Sequence, residues 1–136
     1  MRMLLLYFFK NDDVKASGII KKLIHSASSN GHTMDSVCAL TDAENLCAAP
    51  YEYVTVVVTC QGMFGRKVSP AVTGVLSRMG SAIGKKGCAL VIKSGLFPWK
   101  TCNNLMSVME KEGMLLDYSD VVLNSDHAAY VGKRLG

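Results

Sequence analysis

Unbroken apolar runs alternate along this chain with segments whose apolar residues recur every three or four positions, which predicts strands and helices in turn. Met3 to Phe9 is apolar throughout, as a strand covered on both faces reads. From Val14 to Ser28, Ala16, Ile19, Ile20, Leu23, Ile24 and Ala27 fall on one helical face, with Lys15, Lys21, Lys22 and Ser26 largely opposite. Asp12 or Asp13 is the expected N-cap, and Asn30-Gly31 the stop. Thr33 to Leu40 mixes Met34, Val37 and Ala39 with polar residues, in the manner of an edge strand. Thr41 or Asp42 caps a predicted short helix, Ala43 to Ala48, which Pro50 ends.

Val54 to Thr59 is dominated by β-branched residues and predicts a third strand. Ser69-Pro70 is a helix start, with Val72, Val75, Leu76 and Met79 on the buried face. Cys88 to Ile92 predicts a fourth strand. Thr101 is the expected cap of the next helix, which carries Leu105, Met106, Val108 and Met109 and stops before Gly113. Asp120 to Leu123 predicts a fifth strand, and Ser125 or Asp126 the cap of a last helix with Ala128, Val131 and Leu135 inward.

Alternation of this kind predicts one domain over residues 1–136, of class α/β: a three-layer α/β/α sandwich around a five-stranded parallel sheet. In such sheets ligands lodge beyond the carboxyl ends of the strands, where the strand order reverses. The loops expected to wall that crevice are Lys10–Asp13, Cys60–Gly65 and Ser94–Trp99.

Composition narrows the function classes. The 136 residues are 49% apolar and 19% charged, which is globular rather than disordered. The net charge of +4 comes with no dense basic cluster, so a nucleic-acid partner is not expected. The five cysteines are odd in number and none share CxxC spacing, which argues against a disulfide framework or a zinc site and for a reducing, cytoplasmic setting. No run approaches the roughly 18 apolar residues of a membrane helix, and Met3 to Phe9 lacks the cleavage site of a signal peptide.

Several stretches together resemble the flavodoxin-like family over essentially the whole chain. Met1 to Phe8 is similar to its first strand; Val56 to Gly65 with Ser69 to Val72 resembles its third strand, flavin loop and following helix. Gly84-Lys85-Lys86-Gly87 resembles the lead-in to its fourth strand, and Ala129 to Leu135 its closing helix. The resemblance implies FMN as cofactor, with electron transfer or flavin-dependent reduction as the activity and a redox protein as partner. It also implies the site: Lys10 and Asn11 at the phosphate; Gln61, Gly62, Met63, Phe64 and Gly65 in one flavin loop; Ser94, Gly95, Phe97 and Trp99 in the other. Phe64 and Trp99 would flank the ring.

The chain departs from the family in the phosphate loop, (S/T)-x-T-G-x-T. Its hydroxyl positions fall on Phe9, Asn11 and Val14 and its glycine on Asp12, so no hydroxyl remains, and Asp12 and Asp13 bring like charge to a phosphate. Two other functions follow from the same residues. One is a binding module of the same fold without flavin, working through protein contacts or on another small anion. The other is thiol redox chemistry at Cys60 or Cys102, since a helix N-terminus lowers a thiol pKa. His25, His32 and His127 are too scattered for a metal site, and His127 beside Asp126 reads as part of a helix start. No catalytic residue is assigned.

Overall fold

The computed structural model describes residues 1–10, 13–41, 46–59, 68, 70–79, 83–93 and 98–136. The strands are β1 (Arg2–Tyr7), β2 (Thr33–Cys38), β3 (Tyr53–Thr59), β4 (Lys86–Ile92) and β5 (Leu115–Val122). The helices are α1 (Val14–Ser29), α2 (Pro70–Arg78), α3 (Pro98–Lys111) and α4 (Ser125–Arg134). All strand pairs are parallel, in the order β2-β1-β3-β4-β5. This is the parallel α/β sandwich that the alternation predicts, in the flavodoxin-like strand order that the resemblance implies.

The sheet is buried on both faces because its central strands are apolar at odd and even positions alike. On one face Met3, Leu5, Val57, Leu90 and Val122 pack against Ile19, Leu23, Ala128 and Val131 of α1 and α4. On the other, Leu4, Leu6, Val56, Val91 and Val121 pack against Val72, Leu76, Leu105 and Met109 of α2 and α3. Thr33–Cys38 is an edge strand, as its mixed composition indicates.

Four boundaries differ from the sequence reading. β5 begins at Leu115 rather than Asp120. It is a half-exposed edge strand, and an extra residue, Asp117, bulges between the partners of Gly87 and Cys88, which breaks the period of two. α3 begins at Pro98, so Thr101 lies inside its first turn rather than capping it. The cap of α4 is Asn124, whose Oδ1 accepts from the His127 amide at 2.8 Å, rather than Ser125 or Asp126. Leu46 to Ala48 are not helical; the remainder of the predicted short helix, and Ser69, lie outside the described residues.

Among the described residues no helix is long and apolar enough to cross a membrane, and no group of three or more His, Cys, Asp or Glu is placed to hold a metal.

Candidate functional site at the carboxyl rim

β1, β3 and β4 are neighbours in the sheet and all point the same way, so the chain leaves them at one rim. The end of β1 is pinned on both sides: the Phe8 amide donates to Val57 O and the Ala39 amide to Tyr7 O, each at 3.0 Å. Beyond it Phe8 and Phe9 are buried on opposite faces of the sheet, so the chain leaving β1 is anchored in both cores. The Lys93 amide donates to Val122 O at 2.9 Å and ties the end of β4 to β5.

Of the residues expected in the site, Lys10 and Trp99 are described. Asn11, Gln61, Gly62, Met63, Phe64, Gly65, Ser94, Gly95 and Phe97 lie outside the described residues, as does Cys60. Lys10 is exposed, and its carbonyl accepts the Asp13 amide at 3.1 Å. Trp99 is 60% exposed in the first turn of α3, just past the end of β4. It shares the rim with three other exposed apolar side chains, Val14, Leu40 and Leu123. One cavity of about 330 Å³ adjoins the rim between α1 and the ends of β1 and β2, lined by Tyr7, Phe9, Ser17 and Ile24, and another of about 340 Å³ lies at the amino ends of the strands beside Tyr53 and Lys86.

The N-terminus of α1 is where the resemblance puts a phosphate, and one of its amide donors, that of Ala16, is engaged by a carboxylate. Asp13 is the N-cap, in extended geometry, and its Oδ1 accepts the Ala16 amide at 3.0 Å. Its carbonyl accepts the Ser17 amide at 2.9 Å. A carboxylate therefore sits on the positive end of the helix. The Lys15 ammonium reaches the Lys93 carbonyl, 3.4 Å away, at the end of β4. FMN's phosphate, a dianion near neutral pH, does not fit a helix start that a carboxylate occupies.

Sequence reasoning missed a second polar cluster at the same rim. Asp120 on β5 accepts the Tyr118 hydroxyl at 2.8 Å through Oδ2 and the Val121 amide at 2.8 Å through Oδ1. His127 Nε2 lies 3.3 Å from the same Oδ2. His127 Nδ1 accepts the Leu123 amide at 3.1 Å, so the neutral ring carries its proton on Nε2, facing Asp120. Burial first, then the hydrogen bond to Asp120, raises the Tyr118 pKa. With both ring nitrogens engaged, the ring is a strut holding β5 to the start of α4. His127 is part of the helix start, as its sequence context indicates, and the carboxylate its ring meets is that of Asp120. Neither Asp120's neighbours in sequence nor the spacing to His127 signals this pairing, because no periodicity connects a strand end with the first turn of the following helix.

Cys102 corrects another expectation. It is buried under α3, with its thiol 3.9 Å from the Asp120 carbonyl. Burial, then the nearby Asp120 charge, pushes its pKa up to about 11 rather than down. At pH 8 the thiolate fraction is then about one in a thousand, against roughly one in four for an ordinary thiol. Mass-spectrometric alkylation should leave Cys102 unmodified after exposed Cys47 is fully labelled. Equal labelling rates would show that the thiol is open to solvent.

No family model matches this sequence, and no curated protein matches it. Solved structures do. The two-electron reduced flavodoxin of Megasphaera elsdenii superposes with a TM-score of 0.68 at 10% identity, over 97% of this chain and 99% of that one. A short-chain flavodoxin associated with a non-canonical PDU bacterial microcompartment gives 0.69 at 9% identity, over 99% and 96%. An NAD(P)H:quinone oxidoreductase from Methanothermobacter marburgensis gives 0.66 at 9% identity, over 98% and 96%. At such identities the likeness is one of fold, and it extends over the whole chain.

Proposed function

We propose that this protein is a flavodoxin-like redox module that takes an isoalloxazine-type aromatic ring at the carboxyl rim of its sheet, for electron transfer or flavin-dependent reduction with a redox protein as partner. The observation that carries this reading is Trp99. It is the chain's one tryptophan, and it stands 60% exposed in the first turn of α3, just past the end of β4. Full-length likeness in fold to flavodoxins supports the same placement. In this reading Phe64 and Trp99 flank the ring. Gln61, Gly62, Met63, Gly65, Ser94, Gly95 and Phe97 supply the loops around it, and Lys10 and Asn11 border its side chain.

The test uses Trp99 as its own reporter. Lumiflavin, the bare ring, should quench its emission saturably, with a Kd on the order of 1–10 μM, or about −7 to −8 kcal/mol. Trp99→Ala should weaken that binding about tenfold, read from quenching of the flavin's own fluorescence. Absence of saturable quenching up to about 100 μM would sink the reading.

A second reading is a binding module of this fold that works by protein contacts without flavin. The apolar side chains Val14, Leu40 and Leu123, exposed around the same rim, favour it. Val14 is 85% exposed at the very start of α1, where a polar residue would serve the helix equally well. A failed lumiflavin titration leaves this reading in place.

A further inference from the structure

We propose that the open edge of β2 is a docking strand for an acidic, extended segment of a partner protein, which adds to the sheet there and sets one large apolar side chain in the cavity between β2 and α1. The proposal goes beyond the flavin reading. None of the residues it uses belongs to the flavin site, and it stands if that reading fails.

The sheet has two edges, and they are not alike. β5 is bulged at Asp117, which twists that edge and breaks the alternation a further strand would need. β2 runs in unbroken register with β1 and carries no proline, lysine or bulge. Its single charge, Asp35, lies on the face away from α1, 3.6 Å from the Arg2 guanidinium and accepting the Tyr51 hydroxyl at 2.9 Å. The Thr33 and Ala39 amides donate to Met1 O and Tyr7 O, each at 3.0 Å. Alternate residues of a strand turn their backbone groups to alternate sides. The amides and carbonyls of Met34 and Ser36 therefore point outward, to the side where β2 has no neighbouring strand.

Beside that edge lies the cavity of about 330 Å³. Met34, Ser36 and Cys38 share the α1 face of β2; the outer two are buried, and the one between them is a small, exposed serine. The missing bulk leaves a hollow walled by Tyr7 and Phe9 at the end of β1 and by Ile20 and Ile24 of α1. The two aromatic rings stand 4.8 Å apart, a surface that suits another aromatic or a leucine. Charge at the hollow is of one sign. Helix α1 carries Lys15, Lys21 and Lys22 and no acidic residue, and Lys21 lines the cavity. Among the described residues neither Lys21 nor Lys22 forms an ion pair. In a strand added to β2, a side chain that enters the hollow has its neighbours two positions away turned toward α1 as well. Carboxylates at those positions match the lysines, so backbone pairing gives affinity while the hollow and the charge give specificity.

The probe is a capped, fluorescein-labelled peptide Glu-Thr-Phe-Thr-Glu, titrated into the intact chain and followed by anisotropy. It should bind saturably with a Kd on the order of 10–100 μM, and more weakly as salt rises. Replacing its phenylalanine by alanine, or its two glutamates by lysines, should each weaken binding at least about tenfold. Ser36→Pro removes an outward amide at an edge position, where a strand tolerates proline, and Lys21→Glu reverses a charge on an exposed part of α1. Each variant should keep a cooperative thermal transition and bind the peptide at least about fivefold more weakly. No saturable binding up to about 1 mM, equal binding of the alanine peptide, or undiminished binding to either folded variant overturns the proposal. N-acetylphenylalanine amide binding as tightly as the peptide would show a small-molecule pocket in which the strand edge has no part, and overturns it too. So does a concentration-dependent dimer that S36P dissociates, since the edge would then belong to a second copy of this chain.

Discussion

Gly87→Ala should lower stability by about 3 kcal/mol, a loss large enough to move the denaturation midpoint far from that of the natural chain. Gly87 is buried in β4, opposite Val54 of β3 and next to the bulge of β5. A Cβ placed on it would lie 2.3 Å from Val54 O and 2.6 Å from Met114 Cε. The methionine end can swing aside, since its side chain is flexible. The carbonyl cannot, because it belongs to the central strand of the sheet. Relief therefore requires β3 and β4 to separate, and with them the ends that carry the rim loops. Urea melts of G87A and of G87A with Met114→Ala distinguish the two obstacles. Recovery of less than about a third of the loss in the double variant would confirm that backbone, not side chain, is the barrier. Full recovery would show the clash to be with Met114 alone.

That glycine also marks how far the sequence can be read. The central strands were legible because burial on both faces leaves an apolar run that no helix of that length would show; Val54 to Thr59 and Cys88 to Ile92 are the clearest cases. Helix α1 was legible to within a residue of its cap, since an aspartate before an amphipathic run marks a helix start; of Asp12 and Asp13, the cap is Asp13. β5 was not. At an edge its residues are only half covered, and the bulged Asp117 shifts the alternation midway, so Leu115 to Ser119 carry no readable period. The pair Asp120 and His127 was illegible for a related reason. It joins a strand to the first turn of a helix through a reversal of chain direction, and no periodicity connects the two positions. Thr101 was misassigned because a threonine before an apolar face looks like a cap, while the start signal that prevailed was Pro98. The rim loops, Gln61 to Gly65 and Ser94 to Phe97, lie outside the described residues, so their part in the site stands on resemblance and position alone.

Gly132→Ala should destabilise the protein by about 2–3 kcal/mol, although alanine is the better helix former by about 1 kcal/mol. Gly132 lies within α4 and faces α1. A Cβ there would stand 2.6 Å from Ser26 Cβ and 2.9 Å from Leu23 O. The Ser26 hydroxyl donates to Ala129 O, so the two helices approach closely enough for side chain of one to meet backbone of the other. An added methyl group must push α4 off α1, since neither the Ser26 Cβ nor the Leu23 carbonyl is the end of a flexible side chain. The consequence reaches the rim, because α1, capped by Asp13, is fixed at its other end by this crossing. Tilting α1 about its contact with the sheet moves Asp13 and Lys15 relative to the ends of β1 and β4. G132A should therefore lose stability in urea. Ser26→Gly should restore about half of the stability, by removing one of the two obstacles. A G132A protein of natural stability would mean that the helices are not held at this distance, and the placement of Asp13 would then need another cause.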